Sequence, residues 1–262
     1  MTRLPYGRFC DEVVAQTDLM RGVVAGADLS ATVPTTPDWT LSQLLRHVGG
    51  NLRSLEQAVR TGTAVTEPER QVPDHGGPPG DDPAAIDAWL AEAAARCAQT
   101  LGGAGPDAEA QIWQIRWPTA AWARRAAHDL VVHRADAAGA VGAGYTVAGD
   151  LAADAVDEFL DLMGDPQVAA SAPDPGGPSP VGTVHLHAID AGPGLEAEWL
   201  VELGSPGFTW RLAHEKATVA VRAPLADLLR VVTRRLPPDS QGVEVLGDRQ
   251  VVDAWLERLR LQ

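Results

Sequence analysis

The chain has 262 residues, 45% of them hydrophobic, which is enough apolar material for one large or two modest packed domains and excludes a disordered polymer. Its 21 Lys+Arg against 35 Asp+Glu give a formal charge of −14, which argues against a surface built for phosphate backbones, so no nucleic acid partner is expected. An anionic small molecule is still allowed, because a few arginines gathered in one pocket suffice.

The first half reads as helices. From Tyr6 to about Ala25, the apolar residues Phe9, Val13, Val14 and Leu19 recur at mostly helical spacing. Pro37-Asp38-Trp39-Thr40 reads as a turn into a second helix, with Thr40 as N-cap and Gln43 completing a capping box. Along that helix Leu41, Leu44, Leu45, Val48, Leu52, Leu55 and Val59 form one stripe. The Pro/Gly-rich run from Glu67 to Pro83 predicts a long loop without packed elements, either covering a site or mobile. A third helix is predicted from Pro83 to Leu101, with Ile86, Trp89, Leu90, Ala93 and Cys97 inward. An extended lead-in over Ile112–Pro118 precedes a fourth helix from Thr119 to Ala138, and Leu151–Met163 forms a further one. Residues 169–180 have the Pro/Gly/Ser chemistry of a linker. Beyond it the period changes to alternation, predicting strands at Val184–Ala188, Glu198–Leu203, Thr218–Val221 and Val243–Leu246, with helices at Pro224–Arg234 and Arg249–Leu259. The fold class is therefore α+β overall, an all-helical domain over residues 1–168 and a small α+β domain over 181–262.

Cys10 and Cys97 lie far apart in predicted helices with no Cys-x-x-Cys pair, and read as buried small hydrophobes. The N-terminus lacks a signal-peptide pattern and no window has the roughly 18 apolar residues of a membrane span, so a cytoplasmic protein without a membrane partner is expected.

The residues with chemistry cluster on two helices. Asp129 and His133 stand four apart on the fourth helix, so both project from one face and can reach a single ion. Such a pair also forms on wet helix surfaces as a plain hydrogen bond. His47 lies on the flank of the second helix's apolar stripe, with Asn51 and Ser54 continuing its polar edge. A lone flank histidine is commonly a core-edge hydrogen bond, but two imidazoles and one carboxylate from two helices match a zinc site with an open fourth position.

The contexts of these residues resemble a known family. Pro37-Asp38-Trp39-Thr40 followed by Leu44-Leu45-Arg46-His47-Val48-Gly49-Gly50 is similar to the N-terminal signature of the mycothiol-dependent maleylpyruvate isomerases. The segment Trp122 to Asp136, with His128-Asp129 and then His133-Arg134, resembles that family's second signature, and Val245-Leu246-Gly247-Asp248-Arg249 with Trp255-Leu256 resembles its closing segment. The resemblance implies a DinB-like four-helix bundle followed by a sterol-carrier-protein-like domain. It implies a divalent metal, usually zinc, held by His47, Asp129 and His133, with Asp136 as an acceptor behind a ligand and His128 at the flank. The family commonly has Glu at the middle ligand. Asp129 sets its carboxylate back by about 1.3 Å, which shifts or weakens the metal contact or leaves a water-mediated one in its place.

The same resemblance implies mycothiol as thiol cosubstrate and a metal-bound thiolate that adds to an electrophile, as in maleylpyruvate-type cis–trans isomerisation or mycothiol S-transfer. A small, carboxylate-bearing substrate then calls for arginines, and the candidates are Arg234, Arg235 and Arg125. A monomer or homodimer is expected. The alternatives are a non-catalytic ligand-binding protein with a degenerate metal site, and a metal-dependent hydrolase that activates water.

Overall fold

The computed structural model describes residues 4–165, 181–204 and 207–259. The linker assigned to residues 169–180 lies outside the described residues. The chain forms two compact units, one over Leu4–Tyr145 and one from Thr146 onward.

The first unit is built on four long helices, α1 (Tyr6–Val24), α2 (Leu41–Thr61), α4 (Pro83–Ala104) and α5 (Thr119–Ala140), with one short turn of helix, α3 (Pro68–Gln71), between α2 and α4. α1 packs on α4 and α5, and α2 packs on the same two, which closes a four-helix bundle. The predicted stripe of α2 forms the bundle interior: Leu41, Leu44, Leu45, Val48, Leu52 and Leu55 are all buried. At the start of α2, Thr40 Oγ1 accepts the Gln43 amide and Gln43 Oε1 accepts the Thr40 amide, so the capping box is present. The helix ends at Gly62, whose φ of 65° supplies the left-handed turn.

Two short hairpins decorate the bundle. β1 (Thr32–Val33) pairs with β2 (Thr36–Thr40), and β3 (Glu109–Ile112) with β4 (Ile115–Pro118). The segment Pro37–Thr40 is thus a strand and not the turn its proline suggested: on a two-stranded ribbon a proline amide can face outward without breaking a ladder. α1 also departs from its apolar spacing. Leu19 is 51% exposed, while Glu12, Gln16 and Thr17 are buried with Phe9, Val13 and Met20. The reason is Arg134 on α5, buried against this face. Its Nε donates to Gln16 Oε1 at 2.8 Å, Gln16 Nε2 donates to Glu12 Oε2 at 2.7 Å, and the guanidinium lies 4.6 Å over the Tyr145 ring. A satisfied polar network replaces hydrocarbon there.

The Glu67–Pro83 segment is likewise held in place and contains a helical turn. Arg46 on α2 donates to the carbonyls of Gly76 at 2.6 Å, Pro78 at 2.8 Å and Gly80, and Trp89 Nε1 on α4 donates to the Asp74 carbonyl at 3.1 Å. These partners lie 30 or more residues from Arg46, which is why local composition read the loop as unpacked.

The second unit begins with α6 (Gly149–Gly164). It contains β5 (Gly182–Ala188), β6 (Glu198–Leu203), β7 (Phe208–Leu212), β8 (Val219–Ala223), α7 (Leu225–Val232), β9 (Glu244–Gly247) and α8 (Arg249–Leu256). The sheet order is β7-β6-β5-β8-β9, antiparallel except for the parallel β5–β8 pair. α6 packs on α7 and β7, and its Asp157 Oδ1 accepts the indole N–H of Trp199 in β6 at 2.7 Å. The division between the units therefore falls at Tyr145, ahead of α6, whereas the linker-like composition of residues 169–180 had put it after this helix. Strand β7 is an addition to the predicted set, and the helix predicted to Arg234 ends at Val232, with Arg234 at a φ of 63° turning the chain. No helix among the described residues is long and apolar enough to cross a membrane.

Both cysteines are buried, and burial raises both thiol pKa values. Iodoacetamide at neutral pH is expected to leave Cys10 and Cys97 unlabelled in the folded chain and to label both in denaturant. Mass spectrometry reads the difference, and rapid labelling of the native chain would refute the burial of these thiols.

Candidate metal centre

α5 carries Asp129 and His133 one turn apart, and α2 brings His47 to them across the bundle. One donor atom from each of the three residues lies within 4.8 Å of the others. The His47 and His133 rings meet edge to face at 5.1 Å, and His133 Nε2 stands 3.7 Å from Asp129 Oδ1. The shorter aspartate arm thus still brings its oxygen into the donor set. For ligands about 2.0–2.1 Å from a tetrahedral ion, neighbouring donors lie about 3.3 Å apart, so modest side-chain adjustment closes this set around a cation.

Behind the donors sits a supporting layer. His133 Nδ1 is 2.9 Å from Asp136 Oδ2, and Asp136 is buried and also accepts from Thr35 Oγ1 at 2.6 Å. His133 donates Nδ1–H to the Asp136 carboxylate, which leaves its Nε2 on the side of Asp129. Asp136 thus links His133 to Thr35. Asp136→Asn is expected to lower zinc affinity by about 10–100-fold, measured by competition with a chromophoric chelator, with unchanged helical content. Unchanged affinity would remove Asp136 from the site's support.

The β1–β2 hairpin supplies two groups that sequence spacing did not mark as site residues. Thr35 comes from its turn, and Trp39 packs its ring 4.9 Å from the His47 ring. Asn51, on the polar edge of α2, places Nδ2 3.1 Å from His47 Nε2, whereas Ser54 donates back to the Gly50 carbonyl at 2.8 Å. His128 stays outside the donor set and packs edge-on against Phe9 at 5.6 Å.

Burial lowers the His47 pKa to about 4, with His133 adding to the effect, so His47 is neutral and offers a lone pair at pH 7. Burial opposes the charge of Asp129, but His133, Arg125 and His47 outweigh it and hold the carboxyl well below its ordinary value. Arg125 donates to Asp129 Oδ1 at 3.0 Å, which places this candidate arginine at the donor set. Arg234 and Arg235 belong to the second unit. Arg234 donates to the Leu256 and Glu257 carbonyls at 3.2 and 3.4 Å, and Arg235 to the Thr233 carbonyl at 2.7 Å. Two imidazoles and a carboxylate, one imidazole oriented by a buried acid, form a donor set that fits a divalent metal of the zinc type.

The two glycines after His47 have a steric reason. A Cβ at Gly49 would lie 2.2 Å from Trp89 Cζ3, and one at Gly50 would lie 2.9 Å from His75 Nε2 and from the His75 carbonyl oxygen. α2 has no side chains at these two positions, so α4 and the 67–83 segment can close against it one turn from His47.

Comparisons with known proteins bear on the family and the fold. The model of the mycothiol maleylpyruvate isomerase N-terminal domain matches residues 10–138, and that of the C-terminal domain of the same enzymes matches residues 150–254. A crystal structure of the mycothiol-dependent maleylpyruvate isomerase aligns with a TM-score of 0.61 at 16% identity, covering 94% of this chain and 95% of that one. A histidine-to-alanine mutant of that enzyme aligns with a TM-score of 0.60 at 15% identity and the same coverage. At such identities the structures speak for the fold. A comparison with curated protein sequences gives no match. With both domain models matched in order along nearly its whole length, the chain belongs to the mycothiol-dependent maleylpyruvate isomerase family.

Proposed function

We propose that this chain is a metal-dependent enzyme that uses mycothiol to act on a small, carboxylate-bearing electrophile, with cis–trans isomerisation of the maleylpyruvate type as its reaction class. The observation that supports this most is the convergence of His47, Asp129 and His133, with Asp136 behind them, in a chain of this family. A zinc-type ion held by those three residues would supply the Lewis acidity that keeps a thiol in its nucleophilic thiolate form near neutral pH.

The protein's own groups account for the rest. Asp136 retains the Nδ1 proton of His133 and fixes the ring. His47 stays neutral. Arg125 sets a cation beside Asp129, where it can meet a substrate carboxylate. Arg234 and Arg235 are proposed as further carboxylate-binding groups, to be read as a rise in KM on substitution by glutamine. The buried Cys10 and Cys97 take no part, which leaves the nucleophilic sulfur to the cosubstrate.

The test is turnover of a cis-enoyl diacid with the metal-loaded chain, with and without mycothiol. Turnover that requires both metal and thiol supports the reading. Equal rates without thiol would overturn the role of mycothiol, and water-dependent cleavage of the substrate in place of isomerisation would transfer the chain to the hydrolase class. The Arg125–Asp129 ion pair favours a second reading, a metal-free binding protein, because Arg125 already neutralises the carboxylate. That protein would purify without metal and keep its ligand affinity in Asp129→Ala.

A further inference from the structure

The second unit holds a separate group of ligating side chains. His185 and His187 are two residues apart on β5, so both project from the same face of the sheet. The β5–β6 register puts Glu198 directly opposite His187 on that face. His214 follows β7 and is brought in where the Ala213 amide donates to the Glu198 carbonyl at 3.1 Å. The other face of these strands, with Val184, Leu186, Trp199 and Val201, is fully buried, and Trp199 bonds to α6. The histidine face is therefore the one opposite α6.

All three imidazoles converge on one atom. His185 Nε2 stands 2.9 Å, His187 Nδ1 2.8 Å and His214 Nδ1 2.5 Å from Glu198 Oε2. The three rings lie edge to face at centroid separations of 5.5–5.8 Å. A carboxylate oxygen has two lone pairs, so three ring nitrogens exceed what hydrogen bonding to Oε2 can satisfy. A tetrahedral ion resolves this excess. Its donors stand about 3.3 Å apart at zinc–ligand distances of about 2.0–2.1 Å, roughly half an ångström more than the separations here.

We propose that His185, His187, Glu198 and His214 form a second metal site, for a zinc-like divalent cation, independent of the site in the helical bundle. Four protein donors leave no open position, so the cation is structural. It ties the segment after β7 to strands β5 and β6. Three imidazoles and one carboxylate select zinc, cobalt or nickel over magnesium and calcium, which prefer oxygen.

The test is zinc stoichiometry by plasma mass spectrometry and isothermal titration on the full chain, in four forms: wild type, His47→Ala, His185→Ala/His187→Ala, and all three substitutions together. The expected result is two equivalents in wild type, one in each partial variant and none in the combination. The exposed His214, whose loss leaves the strands untouched, is the control for folding: His214→Ala in the His47→Ala background is expected to weaken zinc at least tenfold at an unchanged circular-dichroism spectrum. Cobalt loaded into His47→Ala is expected to give the intense visible bands of a tetrahedral ion, and His214→Ala to alter them. A His47→Ala chain that binds no zinc overturns this proposal and leaves the proposed function standing. A single equivalent that survives His47→Ala but not His185→Ala/His187→Ala upholds it and overturns the metal reading of the bundle.

Discussion

When His47 is replaced by alanine, the chain is expected to lose the bundle's equivalent of zinc and at least about 100-fold of its mycothiol-dependent turnover, since even groups behind metal ligands contribute 10–100-fold. His47 is the informative position because it alone of the three comes from α2. Asp129 and His133 share one face of α5 and would meet whether or not a metal is present, whereas His47 reaches them only across the packed bundle. Its removal leaves the buried chain from Thr35 through Asp136 to His133 intact, and leaves Arg125 on Asp129. Compared without metal, the denaturation midpoint should consequently move little, while metal and activity go together. Retention of that equivalent at wild-type affinity would mean that His47 is no ligand. Loss of zinc without loss of turnover would separate the metal from the chemistry.

Gly49→Ala is expected to destabilise the helical bundle by about 3 kcal/mol, against the usual gain for this exchange in a helix. Glycine inside a helix ordinarily costs about 0.5–1 kcal/mol relative to alanine, so most such substitutions stabilise. At Gly49 the added carbon would lie 2.2 Å from Trp89 Cζ3. Trp89 has little room to retreat: it is 7% exposed, its indole N–H is bonded to the Asp74 carbonyl, and Arg53 lies 5.4 Å over its ring. Backbone separation of α2 and α4 is the remaining relief, and it loosens the site one turn away. Gly102→Ala on α4 is the internal control. It is exposed with nothing within 4 Å of its added carbon, and is expected to stabilise by about 0.5–1 kcal/mol. Urea denaturation of the two variants reads both signs. A stabilised Gly49→Ala would mean that the helices do not approach as closely as described.

Elements whose signals are local are legible in the chain without its fold. The apolar stripe of α2, the Thr40–Gln43 capping box and the alternating strands β5 and β6 follow from spacing and short-range hydrogen bonding, and each is found within a residue or two of its expected bounds. The pairing of Asp129 with His133 is of the same kind, because helical geometry fixes it without reference to any other element. His47 could be added because its motif and the flank of its stripe marked it.

Features that depend on partners distant in sequence needed the fold to reveal them. Thr35 reaches Asp136 across 101 residues, and Arg46 holds a loop 30 or more residues ahead, so neither role has a spacing to reveal it. Strand β7 and the partition of α6 into the second unit are set by the Leu203–Phe208 to Trp199–Leu212 ladder and by the Asp157–Trp199 bond. The buried face of α1 is polar only because Arg134 is there to satisfy it. The histidine cluster of the sheet combines both cases. His185 and His187 stand in a visible His-x-His spacing, but Glu198 and His214 join them through strand register, and only the fold brings those four side chains to one point.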